Sequence, residues 1–223
     1  MPVDWSLPPN LSTQGVPIDT LFWIILILTG IAFVLVEAGI VWFMIKYRGR
    51  EGRRAHYTHG STRVEIIWTA IPALVLAALG LYSGTVWANI KSDRSFPDDA
   101  LTLRVVAKQF EWNITYPGAD GELDTGDDFT VRNQLHLPAN EPVVVRLEAE
   151  DVIHSFFVPE LRVKQDAVPG MTIPVWFEAT GTGDFEIACA ELCGLGHYRM
   201  RASVTIHDPA DFQSWHASQA SGS

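Results

Sequence analysis

Both cysteines of this 223-residue chain lie in one short segment that also contains a histidine and a methionine. Cys189 and Cys193 are four residues apart, and His197 and Met200 follow Cys193 at offsets of four and seven residues. A second histidine, His154, lies upstream between two strand-like runs. Thiolates, imidazoles and a thioether together form a soft ligand set, and such sets select copper. The spacing therefore predicts a copper site built from these five side chains.

The same side chains could also form other kinds of site. In an oxidising compartment two cysteines ordinarily form a disulfide, but a disulfide leaves the neighbouring His197 and Met200 without a role. A tetrahedral zinc site accepts two cysteines and two histidines and also gives no role to Met200. A mononuclear blue copper site takes one cysteine, two histidines and an axial methionine, which leaves one thiolate over. Two irons would require more anionic ligands than the segment supplies.

Two coppers that share both thiolates use every one of these donors. Each copper then has two bridging sulfurs, one imidazole and a weak axial position, for which Met200 and a backbone carbonyl between the cysteines are available. Because protein fills all the coordination positions, no open site remains for a substrate. The arrangement favours electron transfer over substrate chemistry.

Residues 89–215 are predicted to form the domain that positions these donors. Short runs of alternating apolar and polar residues are separated by Gly, Pro, Asn and Asp, which is typical of an all-β sandwich or Greek-key barrel. The predicted strand runs are 101–116, 129–137, 141–149, 154–161, 172–179, 183–190 and 201–207. Residues 120–128 are interpreted as an acidic hairpin tip, because their spacing does not match a calcium-binding loop. Residues 216–223 are interpreted as a tail, and His136, His207 and His216 as structural or solvated residues.

Two apolar runs near the N-terminus predict a transmembrane hairpin. The runs 21–45 and 66–88 contain 25 and 23 residues, and as helices each is about 35 Å long, enough to cross a bilayer of about 30 Å. Tryptophans lie near both ends of each run, as expected at the two membrane interfaces. Glu37, inside the first run, is expected to face a partner subunit, with a proton-pathway role as the alternative.

The charges on either side of the two runs predict their orientation. Residues 46–65 contain six Lys or Arg and two Glu, so the positive-inside rule places this loop in the cytoplasm. The N-terminal segment 1–20 and the domain 89–215 then lie on the outer, periplasmic side of a bacterial membrane. Residues 89–223 contain ten Lys or Arg and 21 Asp or Glu, which indicates solubility or a cationic protein partner rather than nucleic acid. Glu148, Glu150 and Asp151 are interpreted as acidic surface that could contribute to docking.

Four segments in this order resemble subunit II of the haem-copper cytochrome c oxidases. Residues 189–200 match the family's C-x-E-x-C-x3-H-x2-M signature of a binuclear copper centre, CuA. Residues 151–161, which contain His154, are similar to the family's upstream ligand segment. Residues 64–76 and 161–171 resemble the start of its second span and its K-x-D-x-x-P-G stretch.

The resemblance implies a cupredoxin-like barrel on a two-helix anchor, with six residues around two coppers. Cys189 and Cys193 would bridge the coppers, and His154 and His197 would supply the imidazoles. Met200 would be one axial ligand and the backbone carbonyl of Glu191 the other. In the family the same glutamate side chain reaches a magnesium ion at the border with subunit I, so Glu191 is also the candidate magnesium ligand.

The resemblance further implies a relay of electrons within a membrane complex. A cytochrome c type donor would reduce the copper centre, and the haems of subunit I would receive the electrons for reduction of oxygen to water, coupled to proton translocation. Glu65 corresponds to an acid near the entrance of a proton pathway. The family often has Q-W-Y-W where electrons arrive, whereas this chain has QFEW at 109–112. Phe110 and Trp112 therefore mark the predicted region of electron arrival, with Trp112 expected in the core.

Two other functions remain compatible with the motif. A membrane-tethered copper carrier or assembly protein would bind exchangeable copper without a stable catalytic partner, and a nitric-oxide-type reductase can carry a CuA subunit. A copperless quinol oxidase subunit is disfavoured because every copper-binding side chain is present. The chain contains no haem-attachment C-x-x-C-H motif, so a cytochrome donor would be a separate chain.

Overall fold

The computed structural model describes residues 6–54 and 56–221, and the chain divides into two compact units. One unit is Pro17–Ala88, and the other combines Met1–Val16 with Asn89–Ser223. The first five residues of the predicted outer segment 1–20 lie outside the described residues. The first unit is helical and apolar, and the second is a β domain.

The helical unit consists of two long helices that contain the predicted apolar runs. Helix α1 is Gly15–Lys46 and helix α2 is Thr62–Lys91. The most apolar stretch of each helix is entirely unburied within the protein. Exposing so many large apolar side chains to water would be costly, at about 25 cal/mol for each Å². Both helices are long and apolar enough to cross a bilayer, where that surface contacts lipid instead.

The β unit contains ten strands in two five-stranded sheets within the described residues. One sheet has the order β3-β2-β1-β5-β8 and the other β4-β10-β9-β6-β7. The pairs β1–β5 and β4–β10 are parallel, and the other neighbours are antiparallel. The strands are β1 Leu101–Lys108, β2 Glu111–Tyr116, β3 Phe129–Arg132, β4 Gln134–Pro138, β5 Pro142–Ala149, β6 His154–Val158, β7 Val163–Ala167, β8 Ile173–Glu178, β9 Gly183–Cys189 and β10 Arg201–His207.

The core lies between the two sheets and follows from the alternation in the strands. Every second residue of β1 is buried, beginning at Leu103, and Leu103 pairs with the equally buried Val145 of β5. Trp112, Phe156 and Phe177 add large rings that have no exposed surface. Burying each such side chain contributes about 1.5–3 kcal/mol. This two-sheet domain after two apolar helices confirms the predicted fold class.

Several elements differ from the strand runs predicted by the sequence. The run 129–137 is two strands in different sheets, because Asn133 adopts a left-handed φ of 56° and its Oδ1 accepts the Trp112 N–H at 2.8 Å. The run 101–116 is a hairpin that turns at Gln109 and Phe110. Strand β7 was not predicted, because its sequence VKQDA lacks a clear alternation.

A third helix, α3 (Pro209–Ala220), includes part of the predicted tail 216–223. Its aromatic side chains attach it to the second sheet. The Trp215 ring stacks on His136 at a centroid distance of 4.0 Å, and His136 Nδ1 lies 2.8 Å from His207 Nε2. His216 Nε2 lies 2.9 Å from the carbonyl oxygen of Pro117. The three histidines thus hold the helix at the end of the sandwich where β10 finishes.

Candidate metal centre

Sheet pairing brings together donors that are far apart in the sequence. His154 begins β6 and Cys189 ends β9, and these strands pair with Phe156 opposite Cys189. Strands β9 and β10 also pair, so the backbone N–H of Cys189 donates to the Met200 carbonyl at 3.1 Å. The residues between these strands form the ligand loop, Cys189–Met200, which closes through a short 3-10 helix at His197–Arg199.

The six predicted donors form one continuous cluster. The two thiol sulfurs are 3.8 Å apart. Cys189 Sγ lies 3.9 Å from His154 Nδ1 and 3.2 Å from the Glu191 carbonyl oxygen. Cys193 Sγ lies 3.7 Å from both His197 Nδ1 and Met200 Sδ. Each sulfur therefore has one imidazole and one weaker donor beside it. The contact between the two sulfurs joins these two groups of donors.

These distances fit a shared metal site better than a disulfide. A disulfide holds its sulfurs about 2.05 Å apart, whereas both thiols here are free. Two donors on one ion with bond lengths of about 2.0–2.3 Å lie roughly 3–4 Å from each other. The donor chemistry also suits copper, since thiolates, imidazoles and a thioether are soft ligands. In the described parts of the chain, no other group of three His, Cys, Asp or Glu side chains converges in this way.

The cluster is largely closed to water. His154 is completely buried, Cys193 is 3% exposed and Met200 is 1% exposed, while His197 is half-buried. Burial, reinforced by the neighbouring Cys189, raises the pKa of the Cys193 thiol to about 11. The metal-free thiol therefore keeps its proton at neutral pH, and a bound metal would displace it.

Asp151 fixes the orientation of His154. The Nε2–H of His154 donates to Asp151 Oδ1 at 2.8 Å, which leaves the Nδ1 lone pair directed to the side of Cys189. The same carboxylate accepts the backbone N–H groups of Val152 at 2.7 Å and Gln109 at 2.8 Å. Although burial acts in the opposite direction, the hydrogen bonds from His154 and the backbone hold the pKa of Asp151 below its usual range. Sequence reasoning assigned Asp151 only to the acidic surface, although its D-x-x-H spacing was a usable signal.

The turn between β1 and β2 contacts the ligand loop. The Gln109 side-chain amide donates to the Cys193 carbonyl. The Phe110 ring lies against Gly194 and Gly196, where an added Cβ at Gly196 would collide with the ring. Trp112, which was expected in the core, is fully buried, and its ring lies edge-on to His154 at 6.3 Å. The structure thus places both residues of the predicted electron-arrival region next to the donor cluster.

The two other predicted roles, a proton-pathway role for Glu65 and a magnesium site at the Glu191 side chain, do not concern copper ligands. Glu65 lies in the first turn of α2, in the helical unit. The Glu191 residue is exposed, and only its backbone carbonyl faces the sulfurs.

The ligand loop also presents apolar side chains to solvent. Leu192, Leu195 and Tyr198 are 77%, 97% and 76% exposed. Large apolar residues grouped on a surface beside a functional site usually mark a contact with another protein. Sequence reasoning did not predict this surface.

The comparisons with known proteins agree with this fold. A cupredoxin-like sandwich with a soft donor cluster and two membrane-length helices defines a membrane-anchored copper protein. Residues 3–86 match the family described as cytochrome c oxidase subunit II, transmembrane domain, and residues 119–206 match the periplasmic domain of the same subunit. The chain belongs to the cytochrome c oxidase subunit II family, and it is therefore a subunit of a haem-copper oxidase complex.

Individual relatives support the same assignment over most of the chain. An alternative cytochrome c oxidase subunit 2 from Bradyrhizobium diazoefficiens is 33% identical, with 95% of this chain and 83% of the relative aligned. Cytochrome c oxidase subunit 2 from Thermostichus vulcanus is 31% identical over 94% of this chain and 77% of the relative. The crystal structure of the periplasmic domain of subunit II (CoxB) of Bradyrhizobium japonicum is 31% identical, with a TM-score of 0.50 over 56% of this chain and 97% of that structure.

Proposed function

We propose that this subunit receives electrons from a cytochrome c type donor at a binuclear copper centre and relays them to the haems of subunit I. The observation that carries the proposal is the continuous donor cluster centred on the two thiol sulfurs 3.8 Å apart. When bound, the two coppers supply a one-electron acceptor and donor. Reduction of oxygen to water, coupled to proton translocation, then belongs to subunit I.

The residues of this chain would divide the ligand roles according to their neighbours. Cys189 and Cys193 would supply the thiolate ligands, because each sulfur lies beside the other and beside one imidazole. His154 and His197 would bind through Nδ1. Met200 and the Glu191 carbonyl would be the weak ligands at Cys193 and Cys189, respectively.

The protein around the cluster supports electron transfer by holding the donors still. Burial of His154, Cys193 and Met200 excludes water from the ligand positions. The carboxylate of Asp151 keeps His154 in one tautomer and one orientation. A site whose ligands are fixed before the metal arrives reorganises little when its charge changes, which favours rapid transfer.

The surroundings of the cluster support the proposed partners. The loop apolar residues Leu192, Leu195 and Tyr198 offer a contact surface for subunit I next to the donors. The excess of acidic residues in 89–223 favours a cationic donor protein. The six basic residues in 46–65 support an orientation with that loop in the cytoplasm and the β domain outside. Magnesium at the Glu191 side chain and a proton-pathway role for Glu65 rest on the family resemblance alone.

Copper content and electron paramagnetic resonance of the full chain in detergent test the proposal. We expect two coppers per chain and a hyperfine pattern in which both nuclei share one unpaired electron. Cys193→Ser should abolish the shared pattern because it removes one of the two thiolate ligands, whereas Met200→Leu should retain two coppers with an altered potential. One copper with a single-nucleus pattern, or zinc in its place, would contradict the relay and favour a carrier or a structural site.

A further inference from the structure

The ligand loop extends beyond the sheet ladder that anchors its two ends. Pairing of β9 with β6 fixes Cys189, and the hydrogen bond from the Cys189 N–H to the Met200 carbonyl fixes Met200 next to it. The tip of the loop, residues 192–196, belongs to no strand. Backbone hydrogen bonds at the tip, such as His197 N–H to the Gly194 carbonyl at 3.1 Å, stay within the loop. The position of Cys193 therefore depends on contacts from outside the loop.

Gln109 supplies such a contact and connects it to the other half of the donor cluster. Its side-chain amide donates to the Cys193 carbonyl. Its backbone N–H donates to Asp151 Oδ2 at 2.8 Å, while Oδ1 of the same carboxylate accepts from His154. Gln109 is therefore hydrogen-bonded to Cys193 and also to the carboxylate that orients His154. His154 lies 39 residues before Cys193 in the sequence.

Phe110 adds a steric contact to the same part of the loop. Its ring occupies the space that the absent side chains of Gly194 and Gly196 leave open. A Cβ at Gly194 would lie 2.8 Å from Gln109 Nε2 and 3.3 Å from Phe110 Cζ, and the φ of 129° at this residue also favours glycine. The turn and the loop are thus complementary in shape as well as in hydrogen bonding.

We propose that Gln109 and Phe110 are positioning residues that hold the tip of the ligand loop, and with it Cys193, in fixed register with His154. This inference rests on the proposed function, because the purpose of the fixed register is to retain a metal pair. It assigns the turn a role in the ligand geometry in addition to any contact with a donor protein. Loss of the side-chain hydrogen bond should loosen Cys193 while the backbone bond to Asp151 remains.

The test compares Gln109→Met with Gln213→Met in the full chain in detergent. Methionine has nearly the length of glutamine but no amide donor. Gln213 lies on α3, which follows the far end of β10, about 20 Å along the strand from Met200. In the copper-free chain, we expect an alkylating reagent to label Cys193 about tenfold faster in Gln109→Met, because the loop tip opens more often. The control should label at the wild-type rate, and the unfolding temperature of the β domain should stay close to wild type in both.

The copper-loaded chain provides the second readout. We expect Gln109→Met to transfer copper to a chelator about tenfold faster and to shift the sulfur-to-copper absorption bands, since changes in residues that support metal ligands typically weaken binding 10- to 100-fold. Phe110→Leu should change both readouts in the same direction. Wild-type labelling, release and absorption in Gln109→Met would overturn the inference and leave the relay intact. Faster labelling in a chain that never holds two coppers would overturn the relay and support the positioning role.

Discussion

Replacing Asp151 by asparagine should weaken metal binding at the His154 side of the cluster. The two carboxylate oxygens have different tasks, since Oδ1 accepts His154 Nε2–H and Val152 N–H and Oδ2 accepts Gln109 N–H. An asparagine has only one acceptor oxygen, so its NH2 group must face a donor on one side or the other. The imidazole or the turn therefore loses its partner in the variant.

The size of the effect follows from the type of hydrogen bond and its exposure. A hydrogen bond to a charged group contributes about 1.5–3 kcal/mol. Because 28% of the Asp151 side chain is exposed, solvent screening favours the lower end, about 1.5 kcal/mol. Since 1.36 kcal/mol corresponds to a factor of ten, we expect copper affinity to fall about tenfold.

Competition with a chelator at fixed pH and salt measures that affinity in the full chain. Asp184→Asn is a matched control, because it removes the same charge from β9 at a position about 17 Å along the strand from Cys189. The control should bind copper like the wild type. An Asp151→Asn affinity within twofold of wild type would refute the argument that the carboxylate orients His154.

Two further predictions concern the stability of the β domain. Gly196→Ala should lower the free energy of unfolding by about 1–3 kcal/mol, because the new Cβ displaces the Phe110 ring. Urea unfolding followed by tryptophan fluorescence measures this, and Gly126→Ala, with open space around its Cβ, should be nearly neutral. Stability should also fall as the pH drops from about 6.5 to about 4. Burial and the neighbouring His207 lower the pKa of His136 to about 4 in the folded protein. The unfolded chain takes up the proton near pH 6.5, so protonation favours unfolding between these two values. Discounted for partial exposure, the loss is about 1–2 kcal/mol, and His136→Gln should flatten the dependence of the urea midpoint on pH. Equal pH dependence in the variant and the wild type would count against this explanation.

The sequence predicted the parts of the site that depend on local spacing. Cys189 to Met200 is a single loop, so residue types at short offsets were enough to indicate a soft metal site. His154 was identifiable because it lies between two strand-like runs, in a segment that resembles the family's upstream ligand segment. The connection through Gln109 was not predictable, because it depends on where the β1–β2 turn lies relative to a loop 80 residues away.

Two features of the fold, the division of 129–137 into two strands and helix α3, were not predicted from the sequence, each for a specific reason. Alternation over 129–137 continued through Asn133, and only its left-handed backbone divides the run between two sheets. Helix α3 has a polar sequence, and what holds it in place is the stacking of Trp215 on His136, a contact between residues about 80 positions apart. Burial in the core followed the alternation closely in β1 and β5, where both neighbouring strands were predicted.

The pairing of β6 with β9 also determines when the site comes into existence during synthesis. His154 emerges from the ribosome well before Cys189, because the β7 and β8 segments lie between them in the sequence. Met200 joins only when the β9–β10 hairpin closes. Sheets with such distant pairings fold in about milliseconds to seconds, and a chain that ends before Met200 lacks one of the donors. The complete set of donors is therefore available only after β10 has been made and paired with β9.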